Sequence, residues 1–588
     1  MLEGLTKDLR SAHITTPAKK YLIDTIIQTA ACALIFAAGI FLLTYLDIHI
    51  PLISDIPIPA LAVFFVGICP IGIFLFTYYY PKLTAAGRKT KIDLDLPYAV
   101  TYMQALSATV SLYDIFKGVF ESSDLYGEVS NECGLIVRDV ELFGFDLITA
   151  IENTKEITPS ENFRELLNDL LLVHRSGGNL TAFFQAKSES YREIAKNEMD
   201  SLLQFLEMIA EVYVTAFVAG PIAIIIMLVA QSLSGQNILG NFMPLLFIGL
   251  PLGAMVLIAI LYIILPPNNL NITRKQHHEM EFSSSIISIT DEPRDEKFEK
   301  HLIRKKKLLQ IQNIIRHPVR YFISNYAFAG VLGFLLASLV FILWITDVIP
   351  PLFPEQSYLL IICLLLIAAI LPLSIAYEMR NRYTVGVEKQ LPEFLREISD
   401  MRDIGMTLQG AISMIAGHKT GVLSSEIRIV AEDLRYGASL SDSLVRMEER
   451  IGLTTVKRAI SLLVRASQVT DQIREILGIA VTDMEHYLKM KSKRFNISFV
   501  YLAVIYLSFL IYLFAAYEMN VAFISSFSSF NVSFDISGNK QDMFIIGTIL
   551  AFFSGIMAGQ MSANTILSGL KHSAIMLILT IITFVYLI

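Results

Sequence analysis

The chain has 588 residues, of which 54% are hydrophobic and only 17% charged, and a formal net charge of −7. A mean hydropathy of +0.56 excludes an ordinary soluble globular protein and reads as a polytopic membrane protein. The net charge decides little, because the charged residues are segregated along the chain, and no nucleic-acid partner is expected.

Residues 1–21 are polar, with Lys7, Arg10, Lys19 and Lys20. The apolar run that follows is about as long as a bilayer is thick. No small-residue cleavage site follows it, so it reads as a retained first span. In chain order the candidate spans are about 22–46, 58–80, 208–232, 242–265, 321–347, 357–377, 495–517, 542–560 and 570–588, about nine in all. The last two are separated only by a break at Ser562–Lys571. The loops between spans 1 and 2, 3 and 4, and 5 and 6 carry no Lys or Arg, and residues 518–541 carry only Lys540. The other 46 of the 47 basic residues fall in the alternating segments. This asymmetry is expected to place the N-terminus and both large polar domains in the cytoplasm. An odd number of spans then puts the C-terminus outside.

The polar domains repeat one another. Leu96-Pro97 is matched by Leu391-Pro392, Ile136-Val137 by Ile429-Val430, and Gly144 and Leu147 by Gly437 and Leu440. Several matches in order at a nearly constant offset mark an internal duplication, parallel because both copies keep one orientation. The expected organisation is a tail with spans 1 and 2 (1–80), a helical domain (81–207), spans 3 and 4 (208–265), and a charged linker (266–320). Spans 5 and 6 (321–377), a second helical domain (378–494) and spans 7 to 9 (495–588) follow. The linker contains Arg304-Lys305-Lys306-Lys307 and an apolar run from Leu308 to Ile315, a pattern suited to a helix on the inner leaflet.

Both domains read as all-helical bundles. Phe163, Leu166, Leu167 and Leu170 fall at helical spacing, as do Val456, Ile460, Leu463 and Val464, and Leu391, Leu395, Ile398 and Met401. Gly144 and Gly437 suit helix ends. Asn179 and Asp471 are candidate N-caps of a last helix expected to run on, unbroken at Glu207 and Lys491, into spans 3 and 7. Such a helix would carry force from domain to membrane.

Chemistry is sparse. There is no GxxxxGK[ST] loop, no HExxH, no GxSxG and no metal-ligand cysteine spacing. The four cysteines read as small buried residues. No enzyme activity, cofactor or metal is expected. Glu207 and Glu211 lie one helical turn apart at the start of span 3, as carboxylates reaching the interface or as an intramembrane polar contact with a neighbouring helix. Asn531-Val532-Ser533 is the one sequon on the expected outer side, which makes Asn531 a candidate N-glycosylation site.

A Leu-Pro start, a helical domain, the turn Ser176-Gly177-Gly178-Asn179-Leu180 and two spans after it resemble the type II secretion system F domain. The second copy has Ser467-Gln468-Val469-Thr470-Asp471 near the matching turn, which leaves the fold intact but makes the two surfaces unequal. Two such domains with flanking spans, over about 75–580, resemble the archaeal platform proteins of the archaellum and of archaeal type IV pili. The resemblance implies a non-enzymatic platform in the cell membrane. It would dock a cytoplasmic hexameric secretion ATPase and couple it to assembly of pilin- or archaellin-like subunits. Basic residues near the membrane are the candidate ATPase contacts: Arg88, Lys89 and Lys91 before the first domain, and Arg380, Arg382 and Lys389 before the second. Arg396, Arg402, Arg428 and Arg435 add to the second set. A homodimer is expected, since a sixfold motor cannot match one asymmetric chain directly and the tandem copies already supply pseudo-twofold symmetry. Membrane lipids complete the expected partners. A secondary transporter with a parallel repeat is the competing reading; it would need ionisable groups deep in the spans, and their middles are nearly free of charge.

Overall fold

The computed structural model describes residues 2–45, 69–223, 239–265, 326–346, 357–418, 421–469, 473–523 and 536–587, with the single positions 226, 301, 304, 305, 312 and 322. Among these residues every regular element is helical. The chain divides into two compact units, Met1–Ala195 with Leu462–Asp483, and Lys196–Ser461 with Met484–Ile588.

The first unit holds α1 (Leu2–Ser11), α2 (Ala18–Tyr45), α3 (Cys69–Ser107), α4 (Leu112–Glu121), α5 (Ser123–Glu141), α6 (Leu147–Ile157) and α7 (Glu161–Arg175), and the start of α8 (Leu180–Val214). Its core follows the apolar spacing of these helices. Ile92, Leu96, Ala99 and Met103 of α3 are buried with Ile115 and Phe116 of α4, Val129 and Ile136 of α5, and Phe163 and Leu167 of α7. Side chains close the helix starts: Ser111, Asp146 and Ser160 accept from the backbone N–H three residues on. The polar tail becomes α1, whose Leu5 and Leu9 are buried. Ser11 donates its hydroxyl to the Ile157 carbonyl at 2.8 Å.

The second unit holds the rest of α8, then α9 (Leu239–Ile264), α10 (Phe328–Ile345), α11 (Ser357–Asp403), α12 (Leu408–His418), α13 (Val422–Arg435) and α14 (Leu440–Ile451). It also takes the first half of α15 (Thr454–Val469), most of α16 (Ile473–Tyr517), and all of α17 (Ile536–Ala563) and α18 (Ile566–Ile582). Its largest apolar core joins Leu206 and Tyr213 of α8, Leu250 and Leu261 of α9, Ile505 and Phe509 of α16, Phe544 and Met557 of α17, and Leu577 of α18.

The six helices α3–α8 recur as α11–α16, so the duplication read from the sequence is a duplication of structure. The glycine turns match too: Gly144 has φ +69° and Gly437 φ +89°, each just before a capped helix. Among the described residues eight helical segments are long and apolar enough to cross a membrane. The expected span 58–80 lies outside the described residues up to 68; its remainder opens α3. The break expected near Ser562–Lys571 is present, between α17 and α18. Most of the linker and Asn531 lie outside the described residues.

One expectation needs correction. Leu96-Pro97 and Leu391-Pro392 do not start the domains' first helices. α3 runs through Pro81 and Pro97, and α11 through Pro372 and Pro392, so the apolar run before each domain is continuous with the domain's first helix. A helix-interior proline frees the carbonyl four residues back, and those residues are Asp93 and Glu388. Each sends its carboxylate across the bundle. Asp93 accepts from Asn162 Nδ2 at 3.2 Å and from the Ser160 hydroxyl. Glu388 accepts from Thr455 Oγ1 at 3.5 Å, Tyr487 OH at 3.2 Å and Lys491 Nζ. Asn162 and Thr455 stand at matching places, each near the start of the fifth helix of its repeat.

Candidate functional site

The last helix of each copy is long. α8 passes Glu207 unbroken as far as Val214, where the π-helical turn Thr215–Ala219 follows. α16 passes Lys491 unbroken as far as Tyr517. Asn179 caps α8 by accepting from the Thr181 and Ala182 amides at 2.9 and 3.2 Å; Asp471 lies outside the described residues. Within the second unit the two helices touch. Lys493 Nζ of α16 meets Asp200 Oδ1 of α8 at 2.6 Å, and Tyr501 OH donates to the Leu203 carbonyl at 3.2 Å.

The ten basic residues singled out by sequence divide by burial. Arg88 and Arg380 are not surface groups. Arg88 is buried: its Nε lies 3.0 Å from Glu128 Oε2, one Nη 2.6 Å from Glu132 Oε1, and the other Nη donates to the Ser11 carbonyl. This hub fastens α1 to α3 and α5. Burial raises the Glu132 carboxyl above its ordinary value despite Arg88. Partial burial also works to raise Glu128, but hydrogen bonds from Arg88 and Asn131 outweigh it and hold that carboxyl low. His13, 3.5 Å from Glu132, is pushed down to about 4, first by burial and then by Arg88. Arg380, 2% exposed, donates to the Ile451 carbonyl at 3.1 Å and lies 5.5 Å from the Tyr383 ring.

Lys89, Lys91, Arg382, Lys389, Arg396, Arg428 and Arg435 are exposed. Arg382 pairs with Glu378 at 3.3 Å, and Arg396 pairs with Glu485. Arg402 is half-buried and donates to the Met406 carbonyl at 3.1 Å. Glu207 and Glu211 are exposed on the face of α8 opposite the buried Leu206, Ile209, Ala210 and Tyr213. Their carboxylates form no hydrogen bond or ion pair within the chain among the described residues, and Glu207, on the flank of that face, acts electrostatically on Tyr501 of α16.

Sequence reasoning missed one surface feature that recurs in each unit by itself. Phe143 and Tyr436 precede the equivalent glycines Gly144 and Gly437, and both rings are exposed, 61% and 90%. Arg138 lies over the Phe143 ring at 5.5 Å; Arg435 adjoins Tyr436. In the first unit this corner borders a cleft lined by Lys7, Arg10, Asp139, Phe145 and Glu156. The signal in the sequence was an aromatic directly before each duplicated glycine. Among the described residues no group of three or more His, Cys, Asp or Glu is placed to hold a metal ion.

Residues 103–228 and 394–519 each match the family described as type II secretion system (T2SS), protein F. Over 516 residues the chain is 23% identical to uncharacterized protein MJ1286 of Methanocaldococcus jannaschii, covering 86% of this chain and 81% of that relative. Over 138 residues it is 30% identical to uncharacterized protein MJ0780 of the same organism, covering 23% of this chain and 40% of that relative. No solved structure matches significantly. The matched segments coincide with the two helical repeats, from the core of the first helix through the long last one. The chain is an all-α, multi-pass membrane protein carrying two repeated domains similar to type II secretion system protein F.

Proposed function

We propose that this protein is the membrane platform of an archaeal type IV filament machine, an archaellum or a pilus. Its two domains face the cytoplasm and dock a hexameric secretion ATPase, whose cycle is coupled to assembly of pilin- or archaellin-like subunits. The observation that carries this reading is the pair of unbroken helices. α8 and α16 each begin inside a matched F domain and continue into an apolar membrane-length stretch. A push on either domain is therefore delivered along a helix rather than absorbed in a loop. An archaeal relative along most of the chain supports the setting.

Docking is assigned to each unit by itself: to Lys89, Lys91 and the Phe143 corner in the first, and to Arg382, Lys389, Arg396, Arg428, Arg435 and the Tyr436 corner in the second. Charged groups steer encounter, and an exposed aromatic supplies the anchor. The buried Arg88 and Arg380 are left to structure.

The test is binding of the full-length protein, in lipid nanodiscs, to purified secretion ATPases of the same organism across a salt series. Binding is expected to weaken with salt and to fall at least about tenfold, or about 1.4 kcal/mol, when Arg428 and Arg435 are reversed to Glu. Tyr436→Ala is expected to weaken binding at all salt concentrations. Absence of binding to every such ATPase would overturn the reading.

A further inference from the structure

We propose that the outward face of α8 around Glu207 and Glu211 receives a second membrane helix whose cytoplasmic end is cationic. This names the chemistry of the subunit handled by the platform, and its membrane placement rests on the function proposed above. Between Phe205 and Ala223 the only charged residues are Glu207 and Glu211. The opposite face is fully engaged, with Leu203, Leu206, Ile209, Ala210, Tyr213 and Phe217 buried in the second unit's core. The outward face also exposes Met208 and Val212.

The helix sets two carboxylates one turn apart, where like charges repel. Glu211 lies about 6 Å along the axis from Glu207, so the two cannot sit at one interfacial level. Charged residues in spanning helices face an interior rather than lipid. An outward pair in the single chain therefore faces an interior of the assembly. Directly beyond it the helix changes to the π-turn Thr215–Ala219, with Thr215 Oγ1 donating to the Glu211 carbonyl at 2.9 Å. Such turns recur at functional sites because they re-aim the side chains around them.

Charge complementarity selects the occupant. Single-span proteins with a cytoplasmic N-terminus carry Lys or Arg just inside the membrane, at the level assigned to Glu207 and Glu211. An apolar helix of that kind would lay its shaft along Met208, Val212 and Thr215 and pair its cationic end with the two carboxylates. A partner without that charge would leave the pair uncompensated.

The experiment uses the full-length protein in nanodiscs with a photo-crosslinking residue at Met208. The probes are two single-span peptides, each a 20-residue apolar helix, one preceded by Lys-Lys and one by Gln-Gln. Capture of the lysine peptide is expected to exceed capture of the glutamine peptide about tenfold. The double variant Glu207→Val/Glu211→Val is expected to lose that preference. Glu207→Lys/Glu211→Lys is expected to prefer a Glu-Glu peptide. Equal capture of the two probes, a preference that survives the valine variant, or no inversion in the lysine variant would overturn the inference and leave the carboxylates as groups that only reach the lipid interface. ATPase binding is measured on the same preparations. Binding without peptide preference overturns this inference alone, and preference without ATPase binding overturns the ATPase reading alone.

Discussion

At the scale of single residues, burial separates the basic side chains that hold the protein together from those free to meet a partner. Arg88 and Arg380 were read with their neighbours as positive charge beside a membrane, a reading that counts charge and ignores which helix face carries it. The periodicity held the answer, because Arg88 stands four residues before Ile92 and eight before Leu96, both buried. Removing a buried cation leaves its partner uncompensated, at a cost of about 3–5 kcal/mol. Arg88→Met should therefore lower the thermal unfolding temperature in detergent, and Arg88→Met/Glu132→Gln should recover much of the loss, because the double change removes both charges. Equal losses in the single and double variants would assign Arg88 no pairing role. The same hub makes the attachment of α1 depend on pH. His13 is neutral in the attached state, its pKa pushed down to about 4 from an ordinary 6.5, first by burial and then by Arg88, with Glu128 opposing and Arg138 adding to the drop. Detached, it regains its ordinary value and binds more protons between those two pH values. Attachment is thus fully supported above pH 6.5 and weakens as pH falls towards 4. The raised Glu132 carboxyl acts in the opposite sense. Hydrogen exchange of residues 5–12, corrected for intrinsic rates, should be faster at pH 5 than at pH 7. His13→Gln should flatten that difference, and an unchanged profile in the variant would remove His13 from the effect.

At the scale of elements, helix identity was legible because the apolar spacing of each amphipathic helix is its buried stripe. Phe163, Leu166, Leu167 and Leu170 are all buried as their spacing requires. The joins were less legible. Pro97 and Pro392 read as starts, since proline ordinarily ends a helix. Here both helices continue through, a long-range outcome that no local window contains. The α17–α18 hairpin shows the same limit. Its break at Asn564-Thr565 was visible as polarity, but the intimacy of the packing was not. A Cβ placed on Gly559 would lie 1.9 Å from the Gly569 amide nitrogen, and one on Gly555 2.1 Å from the Ser573 nitrogen. The two backbones meet directly through small residues at four-residue spacing, the arrangement that lets membrane helices pack without a hydrophobic driving force. Gly559→Leu should therefore separate the helices and lower the unfolding temperature of the detergent-solubilised protein by several degrees. Gly478→Ala provides the contrast: nothing lies within 4 Å of its added methyl, and a helical alanine there should be neutral or stabilising by about 0.5–1 kcal/mol. Equal effects at the two sites would mean that the hairpin contact contributes little.

At the scale of the whole molecule, the duplication is both an architecture and a source of asymmetry. One chain supplies two corresponding helices, α8 and α16, that meet through an ion pair, Asp200 against Lys493. The repeat was legible because its offset survives in the glycines and apolar positions. The pairing of its two halves was not, because contact across a repeat leaves no periodic trace in sequence. The pair is partly exposed, so its own energy is about 0–1 kcal/mol, and its larger consequence is specificity of register. Asp200→Lys places two cations together and should loosen the α8–α16 contact, as should Lys493→Asp by opposing two carboxylates. The double variant Asp200→Lys/Lys493→Asp restores an ion pair with its polarity reversed. A spin-label distance between α8 and α16 should broaden in each single variant and return to its original width in the double. If both single variants keep the narrow distribution, the apolar core from Leu203 to Phe509 sets the register by itself. If the double variant stays as broad as the singles, each charge has some other partner, and the two helices are not held as a pair.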